Sequence, residues 1–501
     1  MLTRRHLGAA SMLASALTLS LALPLALDGQ GAAAQPKKDS LTLAMVLEPP
    51  GLDPTVAPAA AIGEITHLNI FEGLTRIQEN GQVAPLLATS WTVTPDQTEF
   101  TFKLKTGVKF HDGTAFDAED VKSSFEAYAG EKSTNKRKAV FANIASITAP
   151  DPATVKITLK KADPSFLFSL GEGTAVITAP ESRATNATNP VGTGPYKFGT
   201  WVKGDSVTLT AQPGSPVAIK TVKMRFIQDP AAMVAALLAG DIDAVPIGIT
   251  GENVAQFEKD KRFKVTVGST EGETMLSTNN KRPFLSDVRV RRAMAHAIDR
   301  KALIDGVNSG YGIPIGSHFP PHDPAYVDYT KMYPFDPAKA KDLLKQAGAT
   351  GIELSMKLPP PAYARRGGEI VAAMLGDVGI KVKIENMEWA QWLDVVFKNF
   401  NYDLTIISHV EPNDYVKYAE PNYYWQYDSA KARELIAKAD GTLDPKERTK
   451  ALQDMQKLLA EDAVNGFLYN LPRISVFRSD VKGLWVNAPI FVNDMAAVSW
   501  Q

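Results

Sequence analysis

No cysteine occurs among the 501 residues. That excludes disulfides, thiolate metal sites, a cysteine nucleophile and a lipidated N-terminal cysteine. Charge imbalance is missing too: Lys plus Arg number 54, Asp plus Glu 55, and the net charge is −1. Such neutrality excludes a general polyanion binder, because nucleic-acid affinity needs a basic face. Beyond the first 34 residues no run is apolar and long enough to read as a membrane span. Thirty-three prolines and 35 glycines, spread along the chain, argue against a coiled coil. Internal repeats are absent. So are the common catalytic signatures: no Gly-x-x-x-x-Gly-Lys-Ser/Thr, no His-Glu-x-x-His and no Gly-x-Ser-x-Gly occurs. His318 and His322 are four apart, but Pro320-Pro321 between them prevents helical facing. Neither an enzyme nor a protein-only metal site has positive support.

What is present is the composition of an ordinary folded protein, 45% apolar and 22% charged. At roughly 150 residues per domain, the length allows two or three domains. Residues 1–34 read as an export signal to be set aside. Arg4-Arg5 precedes an apolar stretch from Leu13 to Leu27, and Ala32-Ala33-Ala34 offers a cleavage site before Gln35. The arginine pair resembles the twin-arginine motif, with Sec export as the alternative. The mature protein is therefore expected outside the cytoplasm.

Strands are expected near 41–46, 90–93, 99–104, 196–201, 220–227, 241–245, 380–385, 474–477 and 491–492, with more strand between 136 and 159. Helices are expected over 62–71, 117–128, 229–239, 287–304, 337–348, 369–378, 430–439 and 445–462. The strand–helix–strand rhythm implies α/β architecture. Val191-Gly192-Thr193-Gly194-Pro195-Tyr196 reads as a tight turn, since Pro195 would break the helix start a phosphate loop needs. Phe110-His111-Asp112-Gly113 also reads as a turn. The arginine-rich helix at 288–292 has an apolar face for packing, and its arginines are expected on an opposite, solvated face.

The stretch 387–427 is different. It holds Trp389, Trp392, Tyr402, His409, Tyr415, Tyr418, Tyr423, Tyr424, Trp425 and Tyr427, with Glu411, Asp414 and Glu420 among them. Aromatics with polar tips suit a ligand cleft, and carboxylates there suit an ammonium or guanidinium. An aromatic-rich core is the alternative.

Several segments, in order, resemble a known family. They are Leu52-Asp53-Pro54, residues 69–74, Pro85 through Trp91, and Phe100 through Thr114. Residues 117–122, Pro190 through Tyr196, and Val288 through Arg300 follow. Together they resemble family 5 of the extracytoplasmic solute-binding proteins of ABC importers, the peptide/nickel-binding class. The resemblance implies an α/β, two-lobed periplasmic binding protein fold of the class II, cluster C type, with an extra subdomain on the first lobe. The first lobe would combine 35–80, 196–280 and 476–501, with the subdomain at 81–195 and the second lobe at 281–475. It also implies a nonenzymatic, monomeric, periplasmic protein without a cofactor, partnered by a solute and by ABC permease subunits, and not by nucleic acid.

In peptide-binding relatives a Tyr-Asp strand is followed by a Trp, and three residues later by an Asp that holds the peptide's amino group. Here Tyr402-Asp403-Leu404 is followed by His409 at the Trp position and Pro412 at the Asp position. Glu411 or Asp414 is the candidate replacement. Trp389 matches a pocket aromatic, and residues 57–60 match a segment that pairs with peptide backbone. The implied ligand-binding set is Ala59, Ala60, Trp389, Trp392, His409, Val410, Glu411 and Asp414. The implied solute is a short peptide or an amine-bearing, peptide-like compound. A chelated metal such as nickel, held through His409, is the alternative, and a secreted hydrolase is a third reading.

Overall fold

Two long strands organise the molecule. Phe263–Thr278 and Gly466–Arg478 run antiparallel side by side. At about 3.3 Å per residue, each spans roughly 40–55 Å, enough to cross both halves of the fold. The computed structural model describes residues 38–57 and 59–501, so the expected signal at 1–34 lies outside the described residues.

At one end of this pair, residues 263–269 lie against 472–478. The sheet continues there through Ala244–Val245, Ser40–Met45, Thr221–Phe226, Ser206–Ala211 and Tyr196–Val202. At the other end, residues 273–276 lie against 466–470, and Leu404–His409, Glu353–Leu358 and Lys381–Asn386 extend the sheet. Between the ends the register breaks: Ser269 faces Pro472 and Glu273 faces Asn470, so residues 270–272 stand opposite Leu471 alone. Side chains replace the lost ladder. Asn470 Oδ1 accepts from Thr270 N at 3.1 Å, and its amide donates to Thr270 O at 2.7 Å. Thr270 Oγ1 donates to Leu471 O at 2.9 Å.

Local chemistry explains the elements around this spine. Ser40–Met45 runs parallel to both Thr221–Phe226 and Ala244–Val245, as a strand–helix–strand unit requires. The connecting helix Pro230–Ala239 begins with an Asp229 cap on Ala232 N at 2.7 Å and ends at Gly240, whose φ is 82°. Residues 88–159 carry a separate antiparallel sheet in the order Ala88–Val93, Glu99–Leu104, Thr154–Leu159, Ile144–Asp151. The rings of Phe100, Phe102, Phe125, Phe141 and Phe166 fill its core. The helix Ala118–Ala129 covers it, held at its start by a capping box between Asp117 and Asp120.

Several expectations are corrected. The long helix at 287–304 is two helices, Val288–Ala297 and Arg300–Asn308, because Asp299 caps a new start on Ala302 N at 3.0 Å. The helix expected at 62–71 is Ala60–Thr66, ended by the turn in which Leu68 takes φ 62°. The stretch 136–159 opens with the helix Lys138–Ala142, and no strand forms at 491–492. The arginines at 288–292 are not all solvated. Arg291 is buried and donates to Leu285 O at 2.7 Å and to Asp462 O at 2.8 Å, the latter a carbonyl at the end of the helix Pro445–Glu461.

The two turns behave as expected and meet each other. Gly194 N donates to Ile70 O at 2.9 Å, and His111 Nε2 donates to Gly194 O at 2.9 Å while its Nδ1 accepts from Gly192 N. A Cβ on Gly192 would lie 2.0 Å from Ile70 O, so only glycine permits this approach. Gly192→Ala is therefore expected to lower stability by about 3 kcal/mol or more, the upper range for overpacking against a fixed backbone. Urea denaturation checks this; a loss below about 1 kcal/mol would show that the two segments separate freely.

Candidate functional site

A cavity of about 650 Å³ lies between the two halves of the main sheet. Its floor is the register break: Thr270, Glu271 and Gly272 from one long strand, and 471–474 from the other. The first-half wall includes Ala57, Ala59, Ala60, Glu64 and His67, joined by Arg137 and Glu172. The second-half wall includes Asn308, Arg366, Val410, Glu411 and Pro412. A volume of this size suits a ligand of drug-like dimensions, for which pockets run roughly 300–1,000 Å³.

The halves also touch beside the cavity. Glu411, on the loop after Leu404–His409, accepts from Lys136 Nζ at 3.0 Å and lies 3.8 Å from Arg137 Nη2. Arg137 in turn reaches Glu172 at 2.8 Å. Tyr311 OH donates to Glu258 at 2.9 Å.

The expected site residues divide into two groups. Ala59, Ala60, Val410 and Glu411 line the cavity, and Glu411 is already paired with the protein's own cations. Trp389, Trp392, His409 and Asp414 do not line it. Trp392 is buried, with Nε1 donating to Thr405 Oγ1 at 3.0 Å, and half-exposed Trp389 meets its edge. Asp414 bridges two histidines: Oδ1 is 2.5 Å from His318 Nε2, and Oδ2 is 2.5 Å from His409 Nδ1. The second ring nitrogens contact Tyr418 OH at 3.2 Å and Tyr424 OH at 2.9 Å. The two imidazoles hold the Asp414 carboxyl well below the usual range despite its burial. The aromatic stretch is thus largely core, with Tyr402, Tyr418, Tyr424 and Trp425 fully enclosed.

Among the described residues, His318, His409 and Asp414 are the group that could hold an ion, their ligand atoms lying within 4.8 Å of one another. Beside them Glu271, Glu273, Asp323 and Asp414 line a small acidic recess. Burial and the neighbouring carboxylates push Glu273 well above its ordinary value. Glu271 is paired with His322 at 2.6 Å.

Sequence reasoning missed Glu64, His67 and Arg473. One signal was available for Arg473: it is the charged residue inside the apolar strand run 466–477. Burial pushes His67 down to about 3, so it is neutral in the wall.

Comparison with known proteins decides the class. The model described as bacterial extracellular solute-binding proteins, family 5 Middle, matches residues 82–414, well over half of the chain. This chain belongs to that family. A Brucella ovis protein named for peptide binding in an ABC transporter is 32% identical over 372 residues, 70% of this chain and 69% of its own. HbpA2 from Haemophilus parasuis shares the fold at a TM-score of 0.85 and 24% identity, over 92% of this chain and 100% of that one. The periplasmic binding protein DppA from Helicobacter pylori, solved with the peptide STSA, matches at 0.72 and 26%, over 93% and 98%. The family 5 protein described here therefore has the α/β periplasmic binding protein fold and is a nonenzymatic solute-binding component of an ABC importer. The hydrolase reading falls with that assignment. No helix among the described residues is long and apolar enough to cross a membrane.

Two predictions follow from the buried groups. Asp414→Ala strips both histidines of their anion and is expected to lower stability by about 3–5 kcal/mol, the usual loss on breaking a buried pair. Thermal and urea denaturation check it; an unchanged midpoint would show that Asp414 carries no such load. His67 is depressed from about 6.5 to about 3, so its neutral burial favours folding fully above pH 6.5. That contribution falls, as pH drops toward 3, by about 1.4 kcal/mol per unit. Between pH 6.5 and 5 wild type should lose about 2 kcal/mol that His67→Gln does not lose. Equal losses in both proteins would exclude His67 as the group.

Proposed function

We propose that this protein captures a short peptide or a peptide-like, amine-bearing solute between its lobes and delivers it to an ABC permease. The observation that carries the reading is the cavity over the crossing strands, walled by Ala57, Ala59 and Ala60 on one side and 410–412 on the other. The small side chains of Ala57, Ala59 and Ala60 leave room for an extended ligand that hydrogen-bonds through its own main chain. The peptide named with the Helicobacter pylori relative supports the class. Ala59, Ala60 and Val410 contact the solute, and Glu411 works at the rim. Trp389, Trp392, His409 and Asp414 stiffen the second lobe behind it.

The lobes we propose follow the ranges implied by the sequence, with the hinge at 270–272 and Leu471. The protein acts in the periplasm as a monomer, after export by a cleaved signal, through the twin-arginine route or Sec. The His318–His409–Asp414 cluster supports a second reading, a chelated metal as cargo.

Calorimetric titration with a pool of di- to tetrapeptides tests the first reading. Wild type should bind at least one component. Ala60→Trp, which fills the cavity, should abolish binding without unfolding the protein. Glu411→Ala should weaken binding less than about fivefold, because a half-exposed ion pair contributes about 0.2–1 kcal/mol. A nickel–histidine chelate that stabilises wild type but not His409→Ala, with no peptide bound, would replace this reading by the second.

A further inference from the structure

The cavity is lined by many charged groups, and nearly all are already matched. Lys136 and Arg137 meet Glu411 and Glu172. Arg366 lies 3.7 Å from Glu252, and Glu271 lies 2.6 Å from His322. His67 is neutral. Two lining groups remain, Arg473 and Glu64. Among the described residues, neither has an opposite charge within 4.0 Å.

Arg473 is only 4% exposed. It sits on the crossing strand Gly466–Arg478, opposite Gly268. Its Nε donates to Pro246 O at 3.3 Å and its Nη1 to Asn487 O at 3.0 Å. These carbonyls orient the fork but use two of five donors and supply no charge. A buried guanidinium without a carboxylate is costly, and the planar fork matches a carboxylate in bidentate geometry. Glu64, on the helix Ala60–Thr66, makes no side-chain hydrogen bond among the described residues. Glu79, the other anion that Arg473 feels, is occupied by the Val486 and Asn487 amides at 2.6 and 3.1 Å. Burial pushes Arg473 down to about 10 and Glu64 up, and each moderates the other's shift.

We propose that Arg473 and Glu64 form a charge-reading subsite, Arg473 taking a carboxylate of the solute and Glu64 its ammonium. The solute class is thereby zwitterionic: a neutral polyol or a simple amine leaves the buried guanidinium unmatched. The inference rests on the cleft being the solute site, and it deepens the peptide reading without requiring a peptide.

The test is a thermal-shift panel followed by calorimetry. It holds free amino acids, di- to tetrapeptides, N-carboxyalkyl amino acids, dicarboxylates, neutral polyols and simple amines. Every compound that stabilises wild type should carry both a carboxylate and an ammonium. Its methyl ester or amide should bind at least tenfold more weakly, and so should its N-acetyl derivative. Arg473→Gln should bind acid and ester alike, and Glu64→Gln should bind amine and N-acetyl forms alike. Arg473→Lys keeps the charge and should retain part of the discrimination. If Arg473→Gln does not fold, the ester and acetyl comparisons on wild type still decide.

A zwitterionic hit that is not a peptide would support this subsite while removing the peptide reading. A peptide whose amide and N-acetyl forms bind as well as the parent would keep the peptide reading and overturn the subsite. A neutral polyol or simple amine that binds Arg473→Gln as tightly as wild type would also overturn it. No hit in wild type would overturn both.

Discussion

Everything in this fold hangs on one pair of strands and the place where their pairing fails. Phe263–Thr278 and Gly466–Arg478 are shared by both halves of the main sheet. An unbroken ladder between them would weld the halves into one stiff plate. Three residues opposing one interrupt it. Asn470 and Thr270 then satisfy the freed backbone groups with side-chain hydrogen bonds. Such bonds hold the polar atoms without dictating one twist, and a hinge needs only a few residues that absorb backbone rotation. The cavity floor is this same break, so a bound molecule touches the part of the chain whose conformation relates the two lobes.

The wall chemistry follows a related economy of charge. Ion pairs that line the cavity are mostly internal: Glu411 reaches Lys136, Arg137 reaches Glu172, and Glu271 reaches His322. A charged side chain at a binding surface offers no recognition when its partner is already in the protein. This separates Glu411 and Asp414, which looked like ligand carboxylates in the sequence, from Glu64 and Arg473, which did not. Asp414 serves two imidazoles outside the cavity wall.

Much of the fold was legible because local rules acted alone. The helix at 230–239 carried its own Asp cap, N-terminal proline and terminal glycine. Glu99–Leu104 alternated its apolar residues cleanly, and the Gly192–Gly194 turn sat where a backbone approach demands glycine. The crossing strands were largely illegible. Thr270, Glu271 and Gly272 carry no strand signal, and Thr270 is held in place by side-chain hydrogen bonds with Asn470 and Leu471 rather than by a ladder. Asp299 was read as one more helical residue when it is a cap. At the site, Ala59, Ala60, Val410 and Glu411 were placed by resemblance and do line the cavity. The aromatic stretch misled because Trp and Tyr with polar tips serve a core as well as a cleft. The tips of Trp392 and Tyr402 end on Thr405 Oγ1 and on Tyr424 O at 3.0 Å.

Lobe closure needs an energy source that the protein's own contacts do not supply. The bridge from Glu411 to Lys136 is about half exposed on both sides. Exposed pairs of this kind contribute about 0.2–1 kcal/mol. Moving a two-state equilibrium from one per cent closed to ninety-nine takes about 5.5 kcal/mol of differential binding. The cross-cleft bridge can therefore bias closure but not command it. A buried charge left unmatched in the cleft opposes closure, since closing withdraws it further from water. A solute that matches it removes that opposition and adds its own contacts only in the closed form. The same group that makes the empty cleft reluctant to shut thus makes the filled one shut, so selectivity and closure arise from one interaction beside the hinge.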